Sequence, residues 1–252
     1  MQKTKIEWVN GGYTWNPVSG CQRGCPYCYA AKIVHRFGGG EAWDRGSSYS
    51  YKLHVLFTKP EKPYPFYFEP TLHRYRLDEP QQIKTPSNIF VCSMADLFGE
   101  WVPDEWIMEV FKACEKAPQH RYLFLTKNID VYQNYGVPTG NNYWYGQTWD
   151  GEKIGLTDYN FYEKRINQFL SFEPILSGRL PIVSIKNGNF GWVIIGAETG
   201  NRKGKIIPKR EWIERIVDSC RNAGIPIFMK NSLAKVWGEP LIQEYPEGLK
   251  GV

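Results

Sequence analysis

Three cysteines lie close together near the start of the sequence. They are Cys21, Cys25 and Cys28 in the run CQRGCPYC, which has the spacing CxxxCxxC. Thiolates separated by three and two residues on one loop can converge on a single metal centre. The remaining cysteines are scattered in apolar settings typical of small core residues: Cys92, Cys114 and Cys220. The spacing therefore predicts a metal or iron–sulfur site at residues 21–28.

The number of available ligands distinguishes two kinds of metal site. Structural zinc prefers four ligands in a closed tetrahedral site, and the sequence has no second CxxC pair. His35 falls about two helical turns beyond Cys28, so a zinc site would need a fourth ligand that the sequence does not locate. Iron–sulfur clusters usually bind four cysteines as well, so three ligands would leave one iron open to a small chelating cofactor. Both alternatives remain open on spacing alone.

The motif resembles the signature of the radical S-adenosylmethionine superfamily, because an aromatic residue, Tyr27, directly precedes the last cysteine. The resemblance implies that Cys21, Cys25 and Cys28 hold a 4Fe–4S cluster whose open iron binds S-adenosylmethionine. It implies that Tyr27 lies near the adenine and that one-electron reduction releases a 5′-deoxyadenosyl radical. It also implies a reductant such as flavodoxin or ferredoxin.

A closer resemblance covers most of the chain. The segments WNPVSGC, IFVCSMADLF, FLTKN, FLSFEP, WVIIGAETG and IPIFMKN are similar, in order, to a family of uncharacterised proteins common in phages and prophages. A more distant resemblance is to DNA-repair enzymes of the spore photoproduct lyase type. The superfamily resemblance implies a partial or complete (β/α) barrel with the cluster at the C-terminal mouth of the strands.

The same fold class follows from the alternation of strands and helices. Six apolar runs bounded by turn residues predict buried strands, at 88–93, 121–126, 143–148, 166–172, 192–197 and 225–230. The segments 13–20 and, more weakly, 65–69 are further strand candidates, and CYAAKIVHRF (28–37) and the amphipathic runs 103–116 and 208–224 predict helices. This alternation predicts an α/β fold with a parallel sheet. A partial or complete (β/α) barrel is the leading expectation and a doubly wound open sheet the alternative, in one domain over 1–252 with an insertion at 38–62.

Polar residues follow the predicted strands, and parallel strand ends meet at one edge of a barrel. We therefore predict a site containing Ser93, Asp96, Thr126, Gln147 and Glu173 as cofactor-binding residues, and Lys127 and Glu198 as catalytic candidates; Thr148 and Lys230 also end strands. The superfamily resemblance adds Glu69 as a residue for the methionine amino group, although the usual Gly-Gly-Glu is absent. Cys92 is a candidate hydrogen-atom donor, but strand alternation predicts that it faces the helices if Ser93 faces the interior.

The basic residues of the chain bear on the kind of molecule it binds. The chain carries a formal net charge of +5, and five basic residues in 201–210 could contact phosphates: Arg202, Lys203, Lys205, Lys209 and Arg210. Three hypotheses follow: an enzyme that modifies or repairs a nucleic-acid base, one that acts on a peptide or small molecule, and a non-enzymatic zinc or iron–sulfur module. No apolar run approaches the roughly 18 residues of a membrane span, and the N-terminus lacks a signal-peptide core, so we expect a cytoplasmic protein without membrane contact.

Overall fold

The computed structural model describes residues 1–37, 52–128, 131–134, 136–149, 167–182, 185, 190–238 and 240–251. Its strands are β1 (Gln2–Lys3), β2 (Tyr13–Trp15), β3 (Val18–Ser19), β4 (His54–Leu56), β5 (Thr71–His73), β6 (Asn88–Val91), β7 (Arg121–Thr126), β8 (Tyr143–Thr148), β9 (Asn167–Phe172), β10 (Trp192–Ile195) and β11 (Ile227–Met229). Its helices are α1 (Tyr29–Phe37), α2 (Glu79–Gln82), α3 (Asp104–Glu115), α4 (Val131–Asn134), α5 (Arg210–Ala223) and α6 (Ala234–Trp237). A short 3₁₀ turn, Glu7–Val9, precedes β2.

An eight-stranded sheet forms the centre of the molecule, in the order β1-β2-β6-β7-β8-β9-β10-β11. From β2 to β11 all neighbouring strands are parallel, and only the edge strand β1 is antiparallel to its neighbour. The predicted α/β class with a parallel sheet is therefore confirmed. The spatial order follows the chain without the reversal expected of a doubly wound sheet. Over the described ranges no ladder joins β11 to β1 or β2, so the sheet is open there and a complete barrel is not seen.

Alternating side chains give the sheet two buried faces. On one face a single cluster contains residues from β6 through β11 together with Trp8: Phe90, Leu123, Trp144, Phe169, Trp192, Ile194 and Phe228. The sheet must curve for side chains from six strands to belong to one cluster with this tryptophan. On the other face the strands pack against α3 in one cluster and against α5 in a second. The curvature leaves the C-terminal ends of the strands around a common opening.

Both long helices match their predictions. Helix α3 begins after Pro103 and carries acidic residues in its first turn, where they complement the helix dipole. Helix α5 ends at Gly224, which has the left-handed φ of 66° that favours glycine at this position. Cys114 on α3 and Cys220 on α5 are 0% exposed, which confirms that they are core residues.

One strand prediction is wrong, and a second is confirmed only in part. The run 65–69 is a turn in which the Glu69 N–H donates to the Phe66 carbonyl. Prolines at 63, 65 and 70 bracket it and remove the donors that a strand needs. The segment 13–20 is divided at Pro17: β2 joins the main sheet, whereas β3 pairs with β5 in a separate three-stranded sheet completed by β4.

The predicted insertion at 38–62 is only partly described, because residues 38–51 lie outside the described ranges. Its second half contributes β4 to the small sheet. Among the described residues, no helix combines the length and apolar character required to cross a bilayer.

Candidate functional site

A cavity of about 580 Å³ opens at the C-terminal ends of the parallel strands. All three cysteines of the CxxxCxxC motif contribute to its wall: Cys21, Cys25 and Cys28. Residues from the ends of β6, β7, β8, β9, β10 and β11 form the opposite walls. The structure thus brings the predicted metal-binding loop and most of the predicted strand-end residues to one place.

The cysteine loop connects β3 to α1 and is fixed by backbone hydrogen bonds at its base. The Gly20 N–H donates to the Met94 carbonyl, and the Cys21 N–H donates to the Phe68 carbonyl. At its end the Ala31 N–H in the first turn of α1 points at the Cys28 sulfur, 3.4 Å away. Cys28 therefore directly precedes the first residue of α1, as predicted.

The thiols are partly buried and close enough to influence one another. Burial raises the pKa of Cys21 to about 12 against the effect of a hydrogen bond from the Arg23 backbone, and nearby Asp96, Cys28 and Cys25 add to the rise. In the described part of the chain, no three or more His, Cys, Asp and Glu side chains are grouped closely enough to hold a single metal ion.

Tyr27 and Lys127, two predicted site residues from distant parts of the sequence, are in contact. The Lys127 ammonium donates to the Tyr27 hydroxyl at 2.7 Å and lies 5.2 Å from the centre of the ring. This contact joins the cysteine loop to the end of β7, so the orientation of the Tyr27 ring depends on a strand-end residue.

Asp96 is surrounded by donors from its own loop and from the end of β7. Its carboxylate accepts hydrogen bonds from the Thr126 hydroxyl at 2.6 Å, the Lys127 N–H at 3.1 Å and the Phe98 N–H at 3.2 Å. The guanidinium of Arg23 lies 3.8 Å away. Asp96 and Thr126 both line the cavity, but their hydrogen bonds are made to each other and to the backbone. The neighbouring Ser93 hydroxyl donates to the Asn16 side chain at 3.2 Å.

Glu173 and Lys230 form an ion pair on another wall. Their charged atoms are 2.5 Å apart, and the Ser171 hydroxyl donates to the second carboxylate oxygen of Glu173 at 3.0 Å. Burial lowers the pKa of Lys230, but the charge of Glu173, its hydrogen bond and the charge of Glu7 outweigh this and raise it overall. Gly196 allows the approach, since a Cβ there would lie 3.1 Å from Lys230 Cδ.

Glu198 connects the cavity to the basic run 201–210. Its carboxylate accepts two hydrogen bonds from the Arg202 guanidinium, at 2.6 and 2.7 Å, and one from the Ile206 N–H at 3.4 Å. The Arg202 hydrogen bonds hold the pKa of Glu198 below its ordinary value although burial opposes the shift. Glu198 therefore anchors the basic loop rather than presenting a free carboxylate.

The other basic residues of the run differ in their surroundings. Lys209 lies 3.7 Å from Glu211, and Arg210 binds Glu214 and donates to the Trp237 carbonyl. Lys203 and Lys205 are exposed on the loop. The run is thus divided between cations paired with carboxylates and two exposed lysines, of which Lys205 donates, within the described residues, only to the Gly200 carbonyl.

Two predicted cofactor-binding residues do not line the cavity. Gln147 has the same parity in β8 as Tyr143 and Tyr145, which pack on the α3 side of the sheet. Glu69 lies behind the cysteine loop, where its carboxylate is 2.5 Å from the His54 ring nitrogen.

Cys92 reaches both the core and the cavity wall. The prediction that it would face the helices assumed that the strand continues to Ser93, but β6 ends at Val91 and Cys92 has a left-handed φ of 58°. This turn interrupts the alternation, so that Cys92 packs in the α3-side core and also lines the cavity next to Ser93.

The sequence interpretation missed several lining residues, among them two charged residues before the first parallel strand and two residues in or beside the cysteine motif: Lys5, Glu7, Arg23 and Tyr29. Arg23 and Tyr29 have a signal in the sequence, because Arg23 lies within the motif and Tyr29 directly follows its last cysteine. Lys5 and Glu7 have none, since the 3₁₀ turn that brings them to the cavity depends on the packing of Trp8.

A comparison with protein families matches residues 3–244 to the family described as "Protein of unknown function (DUF5131)". Neither the curated proteins nor the solved structures give a match to the chain.

Proposed function

Because the chain belongs to the DUF5131 family, whose description assigns no activity, we propose its function from the motif and the site: a radical S-adenosylmethionine enzyme that modifies or repairs a nucleic-acid base. The observation that carries the proposal is that the three cysteines of CxxxCxxC and the polar ends of successive parallel strands line one cavity. Enzymes built on parallel α/β sheets place their chemistry at this edge.

The donor set fits a cluster better than a single ion. Structural zinc prefers four ligands in a closed site, and the sequence offers three clustered cysteines without a fourth ligand nearby. In a 4Fe–4S cluster each thiolate binds a different iron, so three cysteines leave one iron open for S-adenosylmethionine. Cys21, Cys25 and Cys28 would hold this cluster, which when reduced supplies the electron for cleavage of S-adenosylmethionine.

The surrounding residues would bind and orient the cofactor. Tyr27 offers a ring for the adenine, and Lys127 keeps that ring in place through its hydrogen bond. Glu173, fixed by Ser171 and Lys230, presents carboxylate oxygens that accept hydrogen bonds from amino or ribose hydroxyl groups. Trp8, Phe90 and Leu125 line the apolar part of the cavity and exclude water from it.

Cys92 is suited to donating a hydrogen atom to a carbon radical. Burial raises the pKa of its thiol to about 12 against a hydrogen bond from the Val18 backbone. The thiol therefore keeps its hydrogen at neutral pH, and the left-handed turn places it at the cavity wall.

Anaerobic reconstitution with iron and sulfide tests the proposal. We expect a brown protein that forms 5′-deoxyadenosine from S-adenosylmethionine when a reductant is added. Cys21→Ala should lose both colour and product. Cys220→Ala is the matched control, because Cys220 lies on the buried face of α5, and this variant should retain both. A colourless protein that copurifies with zinc and forms no 5′-deoxyadenosine would overturn the proposal.

A further inference from the structure

The charges at the cavity are distributed in two layers. The cations and carboxylates of the wall are equal in number: Lys5, Arg23, Lys127 and Lys230 against Glu7, Asp96, Glu173 and Glu198. Most of these are engaged within the wall, as in the Glu173–Lys230 pair. The interior therefore suits a ligand group with little net charge.

The rim outside this wall is positive. It consists of the loop that follows Glu198 and of the first turns of α1, and its charged residues are all cations: Lys32, Arg202, Lys203 and Lys205. Of these, Arg202 binds Glu198. Within the described ranges no carboxylate oxygen lies within 4.0 Å of the Lys32, Lys203 or Lys205 ammonium. Three cations without carboxylate partners thus adjoin the opening of a chain whose formal net charge is +5.

The basic loop is held in one conformation. Besides the Glu198–Arg202 bonds, the Lys205 N–H donates to the Arg202 carbonyl at 3.2 Å and the Lys205 ammonium donates to the Gly200 carbonyl at 3.3 Å. A Cβ on Gly200 would lie 3.5 Å from the Lys32 ammonium, so helix α1 and the loop present their cations side by side. A preformed arrangement of cations loses less conformational entropy when it binds an anion.

An aromatic ring lies at the same rim. Tyr29, the first residue of α1, is 48% exposed and also lines the cavity. Its hydroxyl is buried and donates to the Ser93 carbonyl at 2.5 Å, which fixes the orientation of the ring while the residue as a whole remains exposed. Tyr29 is one helical turn before Lys32, so ring and ammonium lie on the same side of α1.

We propose that the substrate is single-stranded nucleic acid, whose phosphates contact Lys32, Lys203 and Lys205, whose bases stack on Tyr29, and one of whose bases enters the cavity. The combination of a cationic track and an exposed aromatic ring is typical of single-strand binding. Enzymes that act on a base take it out of the stack into a pocket, and the charge-balanced interior suits an uncharged base. The chemistry rests on the proposed function, but the binding does not.

Binding of a fluorescently labelled single-stranded oligonucleotide to the reconstituted protein, followed by anisotropy over a series of salt concentrations, tests this proposal. The double variant Lys203→Gln/Lys205→Gln should bind more weakly, and the slope of log K against log salt should decrease in magnitude by about 1.4, since each lost phosphate contact on a single strand removes about 0.7. Lys112→Gln/Lys116→Gln removes the same charge from the far end of α3 and should match the wild type.

The stacking contact has its own variants. Tyr29→Leu should weaken binding about five-fold or more, as loss of one base–aromatic stack does, whereas Tyr29→Phe keeps the ring and should retain most of the affinity. A duplex of the same sequence should bind less tightly than the single strand, because its bases are not free to stack.

Several results would overturn the inference: equal binding by the Lys203/Lys205 and Lys112/Lys116 variants, no effect of Tyr29→Leu, or preferred binding of an acidic peptide over the oligonucleotide. The visible absorption and 5′-deoxyadenosine formation of each variant are measured without nucleic acid in parallel. If these fail while binding behaves as expected, the proposed chemistry is wrong and the nucleic-acid surface stands.

Discussion

At the scale of single residues, Asp96 illustrates how a polar side chain at a strand end supports a site without being free to bind a ligand. Hydrogen bonds from Thr126 and Lys127 tie the loop after β6 to the end of β7, and a third from the Phe98 N–H lies within the loop. Since Lys127 in turn holds Tyr27, the carboxylate of Asp96 positions a ring beside the cysteines. We therefore assign Asp96 a positioning role.

Asp96→Asn should lower the free energy of unfolding by about 1–3 kcal/mol, because the amide cannot accept all three hydrogen bonds and leaves a buried donor unsatisfied. Denaturant unfolding measures this change. Asp218→Asn, on the exposed face of α5, is the matched control and should stay within about 0.5 kcal/mol of the wild type. Similar values for the two variants would show that the Asp96 bonds contribute little.

At the scale of elements, the sequence predicts the helices and strands whose residue pattern is local. Helices α3 and α5 and the buried strands β6 to β11 follow from periodicity and flanking turn residues, and the structure confirms them. The small sheet could not be predicted, because β3 leaves the main sheet at Pro17 to pair with β5, more than fifty residues away. The second contact of Cys92, at the cavity wall, could not be predicted either, because it depends on one left-handed residue at the strand end.

Gly20 is the point at which the small sheet determines the position of the cysteine loop. Its φ is +91°, and a Cβ there would lie 2.3 Å from the Glu69 carbonyl oxygen. Gly20→Ala should therefore displace the loop and reduce both the melting temperature and the iron bound after reconstitution.

Gly24 in the same loop provides the control. It also has a positive φ, +67°, but a Cβ there meets nothing within 4 Å. Gly24→Ala should cost only the backbone strain of about 1–2 kcal/mol and retain its iron. Equal iron loss in both variants would indicate that backbone strain, and not the contact with Glu69, determines the position of the loop.

His73 links β5 to β3 through a 2.8 Å contact between its ring and the Ser19 hydroxyl. Burial, assisted by the charge of Arg76, lowers the pKa of His73 to about 3, so the ring is neutral in the folded protein. The unfolded chain binds this proton near pH 6.5. The stabilisation is therefore complete above about pH 6.5 and is lost as the pH falls towards about 3.

Between pH 7 and pH 5 this effect should cost about 2 kcal/mol of unfolding free energy in the wild type. His73→Gln should be less stable than the wild type at pH 7, but its unfolding free energy should fall less between pH 7 and pH 5. Ser19→Ala is the control, because it removes the contact with the ring but keeps the ring that titrates. Urea unfolding at pH 7 and at pH 5 measures how much the unfolding free energy of each variant changes with pH. If the unfolding free energy of His73→Gln depended on pH as strongly as that of the wild type, this account would be wrong.

At the scale of the whole molecule, the curvature of the sheet decides which predicted residues meet. Lys127, Glu173, Glu198 and Lys230 converge because their strands end around one opening, whereas Gln147 lies on the other face. The list of strand-end residues could be read from the sequence. The face of the sheet on which each residue lies could not be read from the sequence, because it depends on where each strand ends to within one residue.

Trp8 is the side chain around which the sheet curves. It is 2% exposed, and its ring lies 4.7 Å from Phe90 on β6, 6.0 Å from Phe169 on β9 and 6.2 Å from Trp192 on β10. The neighbouring Glu7 accepts a hydrogen bond from the Asn231 N–H after β11 at 2.7 Å. This turn therefore connects strands that no ladder joins directly in the described ranges.

Trp8→Ala should lower the free energy of unfolding by about 3–5 kcal/mol, as expected for a large buried aromatic residue, in one transition that circular dichroism and tryptophan fluorescence report at the same midpoint. Met108→Ala, 47% exposed on α3, should change stability by less than about 0.5 kcal/mol. If Trp8→Ala instead separates the two signals into distinct midpoints, the strands on either side of the tryptophan form independent units. In that case the wall of the cavity, which includes Trp8, would also be lost. Under the proposed function, the variant should then not bind S-adenosylmethionine even in the fraction that remains folded.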